Sequence, residues 1–138
     1  MLLVLDSNEF IFALGVLKKP SCEALLDKIV DDSPSHRIRI PRMIVEEVKR
    51  NVPPEAFKEF IGLVNALTQI DEDWVVPFEL GSKYESRGLK PADAFIAAFT
   101  EWTGSEVLVS ENRHFLSRHN DLPFRVLTAE SCLKLLTK

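Results

Sequence analysis

Short, uninterrupted apolar runs alternate along this chain with stretches of helical periodicity, and that alternation restricts the fold more than any other feature. Leu2–Leu5 is a continuous apolar run of strand length, the pattern of a strand covered on both faces. Helix is expected over 7–17, ended by Lys18-Lys19-Pro20, and again over about 21–31, with Ser21 as N-cap and Leu25, Leu26, Ile29 and Val30 inward. Arg37–Ile40 reads as a short strand, and Pro41 opens a helix through Asn51. A further helix from Pro53-Pro54 carries Phe57, Phe60, Ile61, Val64 and Leu67 at helical spacing. Trp74–Val76 reads as a strand and 78–87 as a helix ended by Gly88. Pro91 then opens the helix ADAFIAAFTEWT. Strands over 106–109 and 124–127 follow, and Thr128 caps a final helix ending near Leu136. Such alternation implies an α/β fold: a three-layer α/β/α sandwich around a parallel sheet of about four to five strands, one domain over 1–138.

The 138 residues suffice for a real core. No stretch approaches the roughly 18 apolar residues of a membrane span. The opening MLLVLDSNEFIFALG carries Asp6 and Glu9 and lacks a basic start, so it reads as a buried strand entering a helix rather than an export signal. Cys22 and Cys132 have no CxxC or Cys/His spacing around them and are expected to be buried thiols of a reducing cytoplasm. A net charge of −4 opposes tight nonspecific binding of a polyanion. It leaves room for a local basic rim or a basic protein partner.

In open parallel sheets, ligands bind outside the carboxyl ends of the strands. Acids at those ends therefore matter. Asp6 directly follows LLVL, where it can cap the next helix and face a cleft at once. Glu46 and Glu47 project about 100° apart on one helix. Glu46 has Arg42 and Arg50 four residues away on either side and reads as surface. Glu47, beside Val48 and three residues after Ile44, reads as the inward acid. Asp93 stands in the first turn after Pro91, favourable for the helix dipole, yet its helix is apolar nearly all round and Lys90 is the nearest cation in sequence. Ser110, Glu111, Asn112 and Arg113 form a polar loop after the strand EVLV.

Taken together, LLVLDSN, IVEEVKRN, ADAFIAAF and LVSENRHF resemble, in this order, the four motifs of the PIN-domain nucleases, over residues 2–115. The resemblance implies a PIN-like sheet, with Asp6, Glu47 and Asp93 as ligands of Mg²⁺ or Mn²⁺. It implies Ser7 and Ser110 as hydroxyls that orient the carboxylates. Asn112 stands where many members have a further Asp. A neutral amide binds a cation more weakly, so either Glu111 contributes or a second metal is poorly held. The implied activity is a metal-dependent endoribonuclease, in a stand-alone form similar to the toxins of toxin–antitoxin pairs. The implied partners are an RNA substrate, an antitoxin protein and a second copy of the chain.

Three or four carboxylates brought together repel by roughly 4 kcal/mol per pair at 4 Å and an effective dielectric near 20, and a divalent cation reverses that sign. Oxygen ligands select a hard ion over zinc. The cation activates water and neutralises charge on phosphate, so no Ser-His-Asp set is needed. Cations for substrate phosphates are sought among Arg37, Arg39, Arg42, Lys49, Arg50, Lys90, Arg113 and His114. Arg113 and His114 are the strongest, because they sit inside the site loop. His36 and His119 read as surface. The dehalogenase-type pattern of a second Asp two residues after the first fails at Asn8, and response-regulator acid pairs are missing. The remaining rival is a PIN-like module that binds RNA or protein and is catalytically weak because of Asn112. Phe57, Phe60 and Ile61 are the candidate contact for a homodimer, against the plainer expectation that they are core.

Overall fold

The computed structural model describes residues 1–112, 115 and 121–137. The strands are β1 (Leu2–Leu5), β2 (Arg37–Pro41), β3 (Thr68–Asp71), β4 (Val107–Val109) and β5 (Arg125–Leu127), in one parallel sheet of order β3-β2-β1-β4-β5. The helices are α1 (Ser7–Leu14), α2 (Pro20–Asp31), α3 (Arg42–Asn51), α4 (Pro54–Leu67), α5 (Phe78–Ser86), α6 (Pro91–Thr103) and α7 (Ala129–Leu136). This is the expected α/β/α sandwich.

Connectivity decides where a ligand can enter. From β1 the chain steps outward to β2 and β3, then returns across the sheet to β4. Right-handed crossovers put helices on opposite faces when the direction of travel reverses. Accordingly α1 packs with α2, α3 and α4, and α7 with α2, while α5 and α6 pack together on the other side. The reversal lies between β1 and β4. Outside the carboxyl ends of such a strand pair an open sheet leaves a crevice.

Burial follows the apolar pattern. Leu3, Val4, Leu5 and the whole of β4 are inaccessible to solvent, as a strand covered on both faces requires. Helix α6 buries Ala94 and every residue from Ile96 to Thr100, and Gly104, in the left-handed region at φ 71°, ends it. Phe60 is fully buried and meets Phe10 edge to face at 4.9 Å.

Several sequence expectations give way here. Helix α1 stops at Leu14, and Val16 and Leu17 are exposed beyond it. Helix α2 starts at Pro20 with Lys19 at the cap, displacing Ser21, because Pro suits the first helical position. Val30 is 42 % exposed rather than inward. Pro41 ends β2 and precedes α3 instead of opening it. Trp74 and Val75 belong to a 3-10 turn over Asp73–Val75, and the third strand is Thr68–Asp71, running directly out of α4. The Phe57–Phe60–Ile61 stripe is no free surface: Phe60 is core, and Phe57 and Ile61 pack against it. His36 is half-buried against Asp32 rather than surface, its Nε2 3.2 Å from Asp32 Oδ2.

Burial sets a mechanical prediction. Phe60→Ala should lower unfolding stability by about 3–5 kcal/mol in urea denaturation, through lost burial plus a cavity. Trp74→Ala should change it by only about 0.5 kcal/mol, because the ring is exposed.

Candidate functional site

The crevice at the reversal point holds a cleft of 340 Å³ lined by Asp6, Ser7, Asn8, Met43, Glu47, Ala92, Asp93, Ile96 and Asn112. Four separated chain segments meet there. Asp6 follows β1, and its N–H donates to Val109 O at 2.9 Å, one rung beyond the β1–β4 ladder. Ser110 is set the same way, its N–H donating to Leu127 O at 2.9 Å. The backbone at both positions is thus fixed by the sheet rather than by a loop.

A relay of neutral donors then holds the acids. Ser110 Oγ donates to Asp6 Oδ2 at 2.9 Å, and the Ser7 N–H donates to Asp6 Oδ1 at 2.8 Å, which makes Asp6 the cap of α1 as well. Ser7 Oγ donates to Glu47 Oε2 at 2.9 Å. Asn112 Nδ2 donates to Asp93 Oδ1 at 3.2 Å, and the Asn112 N–H donates to Ser110 Oγ at 3.0 Å. Burial pushes the Asp6 carboxyl above its ordinary value, and the charges of Glu47 and Asp93 push it the same way, against the hydrogen bonds from Ser110 and Ser7. Glu46 is exposed while Glu47 turns into the cleft, as helix geometry predicts.

Among the described residues, no three Asp, Glu, His or Cys groups stand as a finished ligand set for a metal ion. Each acid instead faces a hydroxyl or amide donor. Carboxylates with nothing cationic between them repel, and separate hydrogen bonds are the arrangement that relieves this. The donor chemistry still suits a hard cation: the cleft offers carboxylate, amide and hydroxyl oxygens, and among the described residues no thiol or imidazole lines it.

Other expected residues fall elsewhere. Glu111 turns away from the cleft, its Oε2 accepting the Ala129 N–H at 2.9 Å at the start of α7. Arg42 is engaged by Glu72 at 2.9 Å rather than by Glu46, and both partners are exposed. Lys90 is exposed at the cap of α6. Arg39 is bound to Asp71 through two hydrogen bonds. Arg113, His114 and His119 lie outside the described residues. Cys22 and Cys132 are free and buried, as expected.

Sequence reasoning passed over Glu9, which is fully buried behind the cleft. Its Oε2 accepts from Cys22 Sγ at 3.2 Å, while Oε1 meets no donor among its neighbours. Burial raises the Glu9 carboxyl from 4.5 to about 9, and the neighbouring Glu111 carboxylate adds to the rise. A proton on Glu9 resolves the conflict, since the protonated acid donates to Glu111. The available signal was an acid at helical position 9 sharing the face of Phe10 and Ala13, both core.

No model of a known protein family matches the sequence, and no curated protein matches it. Solved structures do match in fold. VapBC2 from Rickettsia felis, bound to a DNA fragment from its promoter, contains a chain with a TM-score of 0.63 and 17 % identity, covering 93 % of this chain and 98 % of that one. FitAcB from Neisseria gonorrhoeae contains one with a TM-score of 0.61 and 15 % identity, covering 92 % and 97 %. The fold is PIN-like. In that PIN-like frame, the cleft lies where β1 and β4 end and α3 and α6 begin.

The Glu9 pair yields a pH prediction. A folded-state value above the unfolded one means that folding favours the protonated acid. Its contribution is complete below pH about 4.5 and is lost as pH rises towards 9. Glu9→Gln keeps an acceptor for Cys22 and a donor for Glu111. Urea unfolding of both proteins across this range should show wild type losing a few kcal/mol relative to Glu9→Gln. Parallel curves would mean that Glu9 does not titrate in this window.

Proposed function

We propose that this chain is a Mg²⁺- or Mn²⁺-dependent endoribonuclease that hydrolyses phosphodiester bonds, and the toxin of a toxin–antitoxin pair. One observation carries the reading: Asp6, Glu47 and Asp93, from three distant segments, line a single cleft at the sheet's reversal point. The four-motif resemblance and the PIN-like fold support it.

Asp6, Glu47 and Asp93 would hold the cation, some of them through water, because Mg²⁺ takes only one or two carboxylates directly. The bound ion supplies an activated water and neutralises charge on the phosphate. Ser110 and Ser7 keep the Asp6 and Glu47 oxygens aimed into the cleft, and Asn112 does the same for Asp93. Arg113 and His114, with Lys90 and Arg42, are the proposed contacts for the RNA backbone, a role that matters more in a chain of net charge −4. Two buried free thiols accord with the reducing cytoplasm, where such a toxin and a basic antitoxin would meet. A second reading, a PIN-like module that binds RNA or protein with little activity, draws on one feature: the partner of Asp93 is the amide of Asn112 rather than a fourth acid.

Mg²⁺-dependent cleavage of single-stranded RNA separates the two. Asp93→Asn and Glu47→Gln should lose about a hundredfold or more, whereas Glu46→Gln, on the exposed face of α3, should cleave like wild type. Full activity in Asp93→Asn contradicts the assignment, and an inert wild type that still binds RNA favours the module. Mn²⁺ titration adds a pH readout. Since the Asp6 carboxyl is raised, protons compete with the ion, and affinity should weaken as pH falls towards its titration range.

A further inference from the structure

At the amino ends of β1, β2 and β3, the opposite end of the sheet from the acidic cleft, lies a cavity of 490 Å³. Leu2, Ile38 and Leu67 give it apolar walls, and His36, Arg37 and Thr68 bring polar groups to it. Three buried side-chain atoms lack a hydrogen-bond partner among the described residues: Glu9 Oε1, His36 Nδ1 and Thr68 Oγ1. The proton on Glu9 accounts for the first. The other two belong to residues that line this one cavity. Burying a polar atom unpaired is costly, and native structures rarely keep one without a use.

The hydrogen-bonding sense of the two atoms follows from their surroundings. Asp32 holds the His36 ring, with Nε2 3.2 Å from Asp32 Oδ2. A carboxylate only accepts, so Nε2 carries the proton and Nδ1 of the neutral imidazole is an acceptor. The Thr68 hydroxyl has a proton to donate. Charge at this end is close to balanced. Arg39 pairs with Asp71, and Lys28 and His36 share Asp32. Exposed Arg37 has no carboxylate partner among the described residues. Opposing it, α2 and α4 both end at this edge, and their last carbonyls carry partial negative charge. Asp31, at the end of α2, and Glu106, whose N–H donates to Leu2 O, are exposed and lie outside the lining.

We propose that this cavity binds a small neutral molecule carrying an amide N–H and C=O, a lactam or imide, whose N–H donates to His36 Nδ1 and whose carbonyl accepts from the Thr68 hydroxyl. Its apolar body would lie against Leu2, Ile38 and Leu67. Neither polar atom meets solvent as it stands, so the bound state includes rotation of the Thr68 side chain and a shift of the imidazole. Near-balanced charge selects a neutral ligand. A carboxylate would face the His36 lone pair and two helix ends, and an ammonium would face Arg37. The cavity shares no residue with the acidic cleft, so this inference does not rest on the proposed function.

A panel of 2-pyrrolidone, 2-pyridone, glutarimide and uracil, with their N-methyl forms and size-matched carboxylic acids and amines, tests it by NMR titration of the whole chain. At least one lactam or imide should shift the amide signals of residues 33–39 and 66–69 and leave those of 6–8 and 110–112 in place. Its N-methyl form, which cannot donate, should bind about tenfold or more weakly. Thr68→Val should weaken the same ligand by roughly threefold to tenfold and yet raise the urea midpoint, since it removes a hydroxyl that the fold leaves unpaired. The proposal is overturned if no lactam or imide moves these signals, or if the acids or amines bind as well as the amides. It is equally overturned if N-methylation leaves binding intact, or if Thr68→Val lowers the urea midpoint, which would give the hydroxyl a structural role.

Discussion

Carboxylates held close together on a backbone that cannot retreat are the constraint around which this structure is organised. Asp6 cannot swing away, because its N–H donates to Val109 O one rung beyond the β1–β4 ladder. Asp93 rides on a helix anchored by Ala94 and the buried run from Ile96 to Thr100, and Glu47 on one anchored by Ile44, Val45 and Val48. Only side-chain rotation is left to relieve the repulsion, and the hydroxyls of Ser7 and Ser110 and the amide of Asn112 take it up. These neutral donors offset part of the cost. They supply no positive charge, and none lines the cleft among the described residues.

Topology makes the convergence possible. The acids come from the sheet and from both helical layers: Asp6 from β1, Glu47 from α3 on one face, Asp93 from α6 on the other. They meet only where the layers part, at the strand pair across which the chain reverses direction. A second carboxyl pair, Glu9 with Glu111, sits behind the first and settles its conflict differently, by keeping a proton. The two pairs show alternative answers to one electrostatic problem: an open cleft can admit a cation, whereas a closed interior cannot.

The parts of this arrangement that were legible in the sequence are those where periodicity and burial agree. LLVL and the apolar ADAFIAAF mark a central strand and a buried helix, and both were placed. The choice of Glu47 over Glu46 followed from 100° of helical rotation. The edge of the sheet was not legible. Strand β3 reads Thr-Gln-Ile-Asp and is half-exposed, so it carries little apolar signal, while the apolar Trp74-Val75-Val76 mimics a strand but curls into a 3-10 turn. Glu9 escaped notice because a lone acid in a helix normally faces water; its burial follows from tertiary packing of α1 against α2, where Cys22 meets it. The polar loop after β4 divided unexpectedly, with Asn112 turned into the cleft and Glu111 turned to α7.

The central claim, that clustered acids destabilise the fold until a hard cation enters, is open to direct measurement through the urea midpoint of wild type and Asp93→Asn, with and without Mn²⁺. Without the ion, the variant should be the more stable protein, since Asn at 93 keeps an acceptor for Asn112 and removes a charge. With the ion, wild type alone should rise. A wild-type midpoint that Mn²⁺ leaves unmoved, and that exceeds the variant's in both conditions, would contradict the account.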